Sequence, residues 1–483
     1  MNRMVVIPIL LAAMAGCVRR VPPEMTVQFP VPAEWTGGDV EAAAPVSEWW
    51  TYFEDAELDR VIREALESNR DLRAAEARIR AAEADAVIAG ADLLPDASLN
   101  LSRSQQRQNF IGFPIPGSDG DVLSTTSTNY GLRLNASWEP DVWGRIRSGA
   151  FAAVTNARLR HAELAAARLS LAGQVARAWF AVVEAERQVE LAEISLASFR
   201  VSSQRVRARF QSGLRPALDL RLSLTEAAQA EAVLEQRIEQ RDRARRQLEA
   251  LIGRYPSGGY MGSADLPGMP AAVPGGLPSD LMHRRPDLVM AELEVVGSDA
   301  RLAQAEAELR PRFSLTSGTG TSSNALLGLV DNDLFVWSFV GNLVQPLFNR
   351  GRLGAAVDRN QSAVDEALAA YESRVLASYR EVESALAAEG ALARREAALE
   401  AAVEQAVAAQ EQAEERYRLG LTDIITVLSA QRSAYNAESQ LLAVRRGRLD
   451  NRVELHLALG GGFDASDVPA LGTAANVRDG APR

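Results

Sequence analysis

The stretch Arg209-Phe210-Gln211-Ser212-Gly213-Leu214-Arg215-Pro216-Ala217-Leu218-Asp219-Leu220 interrupts a long helical pattern, and it occurs twice. The second copy is Arg416-Tyr417-Arg418-Leu419-Gly420-Leu421-Thr422-Asp423-Ile424-Ile425-Thr426-Val427. Gly213 recurs as Gly420, 207 positions later, and at the same offset Phe210 falls on Tyr417, Leu214 on Leu421 and Ala227 on Ala434. A Gly-Leu pair between two helical runs predicts the tip of a helical hairpin, because glycine takes the left-handed conformation that ends a helix. Two equivalent tips organise the chain.

Outward from each tip the pattern stays helical. From Trp143 to Gln211 there is no proline, and Leu171, Val175, Ala178, Val182, Ala185, Val189, Ala192, Leu196 and Phe199 recur at steps of three and four. That is a coiled-coil-like stripe. A helix of this extent is on the order of 100 Å long. A second such helix is expected from about 353 to 419, its stripe including Leu399, Ala402, Ala406, Ala409 and Ala413. Further from the tips the period changes to two. Ala97, Leu99 and Leu101 alternate with Ser98, Asn100 and Ser102, and Leu132, Leu134, Ala136 and Trp138 alternate with Arg133, Asn135 and Ser137. The second half repeats this with Phe313 and Leu315, then with Phe335, Trp337, Phe339 and Leu343. These are strands with one apolar and one polar face.

The reading by segments is therefore a signal at 1–16, a lipid-anchored tether at 17–54 and a first repeat at 55–254. That repeat holds strands at about 97–107 and 128–139 and a tip at 210–219. A Gly/Pro-rich connector at 255–278 leads to a second repeat at 279–462, with strands at about 312–320 and 334–345 and a tip at 417–426. Residues 463–483 read as a disordered tail.

Composition narrows the function. Aromatics are only 6% of a chain dominated by Ala and Leu, which favours long helices over ordinary compact domains. The net charge of −11 argues against a nucleic-acid surface. The single cysteine, Cys17, excludes a disulfide framework. It closes an apolar run that follows a positive start, with Ala15-Gly16 before it. That predicts a secretion signal. It resembles a bacterial lipoprotein signal, and in that resemblance Val18 after the Cys implies sorting to the outer membrane. Beyond the signal no apolar run is long enough for a spanning helix, so a membrane crossing has to be a β-barrel. Four strands cannot close one, since the smallest membrane barrels have about eight, so copies of the chain must combine.

The chain resembles the TolC/OprM-like outer-membrane efflux proteins, in their lipoprotein (NodT-like) branch, over about residues 45–462. The motifs that carry the resemblance are Glu-Pro-Asp-Val-Trp-Gly-Arg at 139–145, Arg-Arg-Pro-Asp-Leu at 284–288, Gln-Pro-Leu-Phe-Asn-Arg-Gly at 345–351 and Arg-Tyr-Arg-Leu-Gly-Leu-Thr-Asp at 416–423. The fold it implies is mainly α with a membrane β part: a homotrimer whose 12-stranded β-barrel continues as a 12-helix α-barrel. It implies an outer-membrane exit duct lying in outer-membrane lipid, with a periplasmic adaptor and an inner-membrane pump, expected to be of RND type, as partners. Small molecules or drugs pass through it, and the pump chooses them. No cofactor is expected beyond a covalent lipid on Cys17.

In that family the tips form a periplasmic iris. The resemblance places Asp219 and Tyr417 at bridging positions, where a carboxylate and a phenol can share a hydrogen bond. Asp219 can also be read as a helix N-terminal cap. Thr422 stands where the family carries an arginine, and Thr426 and Ser429 stand at its acidic ring, with Asp423 a nearby substitute. The exposed tips Gly213, Leu214, Gly420 and Leu421 are the family's adaptor-contacting positions. Catalysis has no support: His161, His283 and His456 are scattered, and pairs such as Glu239/Arg243 and Glu414/Arg418 read as surface ion pairs. Two other readings stay open at this level, the duct of a type I protein secretion system and a non-conducting coiled-coil lipoprotein.

Overall fold

The computed structural model describes residues 47–111, 123–262, 265–270 and 281–470, together with Met25, Trp35, Thr36 and Pro278. Cys17, the signal segment and residues 471–483 lie outside the described residues.

Asp55 opens the body by accepting the Glu57 and Leu58 amides, which starts helix α1, Ala56–Ser68. Asn69 ends it and caps α2, Arg70–Ala91, by accepting from Asp71 and Leu72. Strands β1, Asp96–Phe110, and β2, Leu123–Trp138, follow. Then come α3, Arg145–Gln211, and α4, Ala217–Leu251. The second half gives α5, Pro286–Ala307; β3, Arg312–Ser323; β4, Phe335–Val344; α6, Arg352–Arg418; and α7, Ile424–Ala458. The repeat is exact in helix length: α2 and α5 have 22 residues, α3 and α6 have 67, and α4 and α7 have 35.

The strands form one antiparallel sheet in the order β1-β2-β3-β4. The first two are longer than their alternation indicates, because residues 102–109 are polar on both faces and show no period-two hydrophobicity. Pairing still runs without a break from Asp96↔Ser137 to Phe110↔Leu123. Below the sheet, α3 is the central helix and packs on α2 and α5 near the sheet and on α4 and α7 towards the tips. α6 packs mainly on α5 and α7, and so forms one lateral edge. Accordingly α3 buries side chains along its length, whereas α6 buries none between 387 and 412. Of the α6 stripe only Ala413 is buried.

The main core lies where the two repeats meet. Trp49, Trp50 and Phe53 join Trp179, Phe180, Leu248 and Val453 there. His456 stacks on Trp49 with ring centroids 5.2 Å apart, and burial, with Arg452 nearby, pushes its pKa down to about 3. The start of the connector, 255–262, belongs to the body. The buried Glu249 carboxylate accepts from the Gly258 and Tyr260 amides and the Ser257 hydroxyl. Burial would raise its pKa, but these hydrogen bonds hold it below the ordinary carboxylate value. Thr36 donates to Glu383 on α6, so that part of the tether lies along the helical wall. The tail is a correction: residues 463–470 are not disordered. Asp464 and Asp467 form a capping box, and Val468 is buried against Ala162, Val289 and Leu293.

Candidate functional site: the paired helical tips

The two tips are one motif built twice. At the first, Gly213 has φ +71°, its amide donates to the Phe210 carbonyl, and the Leu214 amide donates to Arg209. At the second, Gly420 has φ +77°, with Gly420 donating to Tyr417 and Leu421 to Arg416. This double closure satisfies the last carbonyls of each long helix and turns the chain back on itself. Leu214 and Leu421 are left 72% and 63% exposed, flanked by exposed Leu218, Leu419 and Ile425. All four tip positions, Gly213, Leu214, Gly420 and Leu421, therefore sit together at the far end of the molecule from the sheet.

Behind this surface is a small core of Phe199, Val206, Ala413, Tyr417, Ile424, Val427 and Leu428. Tyr417 is only 3% exposed. Two arginines from the first tip lie over its ring, Arg209 at 4.6 Å and Arg215 at 5.4 Å. Such cation–ring contacts are worth about 0.5–1 kcal/mol each, more when water is excluded. The same arginines reach the second tip's backbone: Arg209 donates to the Tyr417 and Arg418 carbonyls at 3.1 and 3.2 Å, and Arg215 to the Thr422 carbonyl at 3.4 Å. One hairpin thus holds the other through two guanidinium groups.

Several expected contacts differ. Asp219 does not meet Tyr417. Its carboxylate faces Arg215 at 3.9 Å, and the buried Tyr417 hydroxyl has no hydrogen-bond partner among the described residues. Nor does Asp219 cap α4, because Pro216 holds the N-cap position and makes no side-chain cap bond. Asp219 lies in the first turn instead, where a negative charge suits the helix dipole. The N-cap at the second tip is Asp423, which accepts from the Thr426 amide at 2.8 Å and hydroxyl at 2.7 Å. Those hydrogen bonds, backbone first, hold its pKa below the ordinary value, so the group is ionised at neutral pH. Thr426 and Ser429 are exposed on the same helix, and Thr422 is partly exposed just before it.

Two features escaped the motif reading. Arg215 occupies the position equivalent to Thr422 at the 207-residue offset, so the arginine absent from one tip is carried by the other. Gln431, 4% exposed, donates from Nε2 to Ser198, Ser202 and Glu414, tying α3, α6 and α7 together above the tip. Its repeat equivalent is Leu224, and an amide replacing a leucine on a packed helix was the available signal. Glu414 is thereby turned inward, and Arg418 pairs with Glu415 rather than with Glu414. The contacts in this cluster are packing, cation–ring and capping contacts. Elsewhere, His161 meets Glu83 at 3.1 Å, and among the described residues no group of three or more His, Cys, Asp or Glu is placed to hold a metal ion.

Comparison with known proteins agrees with this architecture. The model of the outer membrane efflux protein family matches residues 61–254 and 277–461. The pyoverdine export outer membrane protein OpmQ of Pseudomonas putida is 33% identical over 467 residues, covering 95% of this chain and 97% of that protein. The outer membrane protein OprJ of Pseudomonas aeruginosa is 32% identical, covering 94% and 95%. Among solved structures, the outer-membrane channel OprN superimposes with a TM-score of 0.83 at 28% identity, covering 92% of this chain and 99% of that one. The Campylobacter jejuni CmeC channel, at 22% identity, shares the fold with a TM-score of 0.86 over 95% and 97%.

Proposed function

Since this chain belongs to the outer membrane efflux protein family, we propose that three copies form one gated exit duct, anchored by a lipid on Cys17 and closed at the paired tips. The chain is an efflux channel of the outer membrane. The observation that carries the assembled form is a lateral match. β1, α2 and α4 lie along one side of the chain, and β4 and α6 along the other. Open sheet edges are not tolerated in lipid, so β1 of one copy pairs with β4 of the next. The unburied stretch of α6 then meets the neighbour's α2 and α4 edge, continuing the barrel as a helical tunnel.

Energy comes from outside the chain, from an inner-membrane pump of the RND type acting through a periplasmic adaptor. The adaptor reads the exposed Leu214 and Leu421. Arg209 and Arg215 hold the inner and outer hairpins together around Tyr417, and the cargo is small molecules rather than folded protein. The rim formed by Thr422, Asp423, Thr426 and Ser429 carries a single ionised carboxylate from each copy. A functional test uses a Gram-negative strain without its own efflux channels. Coexpression of this chain with its adaptor and pump is expected to lower accumulation of a fluorescent pump substrate relative to adaptor and pump alone. Equal accumulation would count against the reading.

A further inference from the structure

The outward face of the sheet is apolar for only part of its height. On that face the apolar band begins at Phe313↔Leu343 and ends at Leu101↔Leu132 and Thr321↔Phe335. The eight steps from Leu343 to Phe335, at about 3.4 Å each along a strand tilted by about 40°, give a band roughly 20 Å tall. That is close to the roughly 25 Å apolar belt of an outer-membrane barrel. β4 stops at Phe335, but the β1–β2 hairpin continues. The next residue on the same face is Arg103, opposite Tyr130, and the next charge is Arg107, opposite Thr126. With the same rise and tilt, Arg103 stands about 5 Å beyond the band and Arg107 about 10 Å further.

Both side chains are held by uncharged partners among the described residues. The Arg103 guanidinium lies 5.7 Å from the Tyr130 ring centroid, and Arg107 donates to the Ser124 hydroxyl at 3.0 Å. From Ala97 to Phe110 and from Ser124 to Trp138 there is no Asp or Glu. Among the described residues the contacts of the two arginines are this ring and this hydroxyl. In a barrel wall with this apolar band in the hydrocarbon core, both arginines stand at the level of lipid headgroups. Arginine matches phosphate geometry with a rigid fork of donors, and a charged hydrogen bond at such a boundary is stronger than a neutral one.

We propose that Arg103 and Arg107 form a phosphate-binding strip for outer-leaflet glycolipid at the extracellular rim of the barrel, with Tyr130 aiming Arg103. The inference rests on the outward direction of the β1–β2 hairpin in the proposed channel. The test uses purified full-length protein mixed with bisphosphorylated lipid A or with its dephosphorylated form, and native mass spectrometry of the bound lipid. The wild type is expected to retain the phosphorylated form in preference, and R103A/R107A to bind it about tenfold less, with R103K/R107K between them. Equal retention of the two lipids by the wild type, or undiminished retention by R103A/R107A, overturns the proposal. So does separation of R103A/R107A into single chains in phosphate-free detergent, which would assign the arginines to subunit contacts. Conductance of the same preparations reports on the channel itself, independently of bound lipid.

Discussion

At the tip the ring of Tyr417 lies between Arg209 and Arg215, while its hydroxyl is buried without a partner among the described residues. Ring and hydroxyl therefore have opposite expected contributions. Tyr417→Phe removes an unsatisfied polar group and is predicted to leave the apparent melting temperature unchanged or raise it, by up to about 1 kcal/mol in stability. Tyr417→Ala empties the small core and removes both cation–ring contacts, at a predicted cost of about 3 kcal/mol. A loss on Tyr417→Phe as large as that on Tyr417→Ala would show that the hydroxyl has a partner after all. Asp450 offers a second test. Burial raises its pKa to about 6, with Glu184 adding to the effect and Arg446 and Arg177 opposing it. The folded state then holds a proton that the unfolded chain releases at its ordinary value of 3.8, so this group's contribution to stability improves as pH falls through about 6. Asp450→Asn is predicted to stabilise at pH 8 by about 1–3 kcal/mol, with the advantage fading towards pH 4. Melting curves at several pH values check this; a pH-independent difference contradicts it.

Among the elements, the hairpin tips and long helices were legible because their signals are local. A glycine in a helical run and a three–four stripe each determine structure within a few residues, and the 207-residue period doubled every signal. The hairpin end of β1 and β2, 108–110 and 123–127, lay beyond the strands expected at 97–107 and 128–139, since these residues have no alternation and their strand character comes from pairing with each other. The clamp by Arg209 and Arg215 was hidden for a different reason: it joins residues about 200 positions apart, and charge alone does not tell a ring-stacked arginine from a solvated one. The glycines at the helix ends also separate on structural grounds. A Cβ at Gly420 meets nothing within 4 Å, so Gly420→Ala carries only the left-handed backbone cost of about 1–2 kcal/mol. At Gly460, φ +91°, a Cβ would stand 1.9 Å from the Arg284 carbonyl oxygen. Gly460→Ala is therefore predicted to reduce the yield of assembled protein sharply while Gly420→Ala does not. Equal yields would contradict the close packing of the α7 end on the Leu281–Arg284 turn.

On the scale of the whole molecule, the sheet and the helical layer of the described residues each end in two open edges, which the proposed ring brings together. The sheet ends in β1 and β4, and the helical layer ends in α2 and α4 on one side and α6 on the other. A β-barrel is the crossing expected from a sequence without an apolar run of spanning length, and no helix among the described residues is long and apolar enough to cross a membrane. The central claim is that the closed ring conducts and that the tips gate it. Single-channel recording in planar bilayers, comparing the wild type with Arg209→Ala/Arg215→Ala, tests this most directly. The account predicts discrete openings of low conductance for the wild type and a several-fold larger conductance for the double variant, whose hairpins are no longer held around Tyr417. Absence of discrete openings in the wild type, or identical conductance in the two proteins, would contradict it.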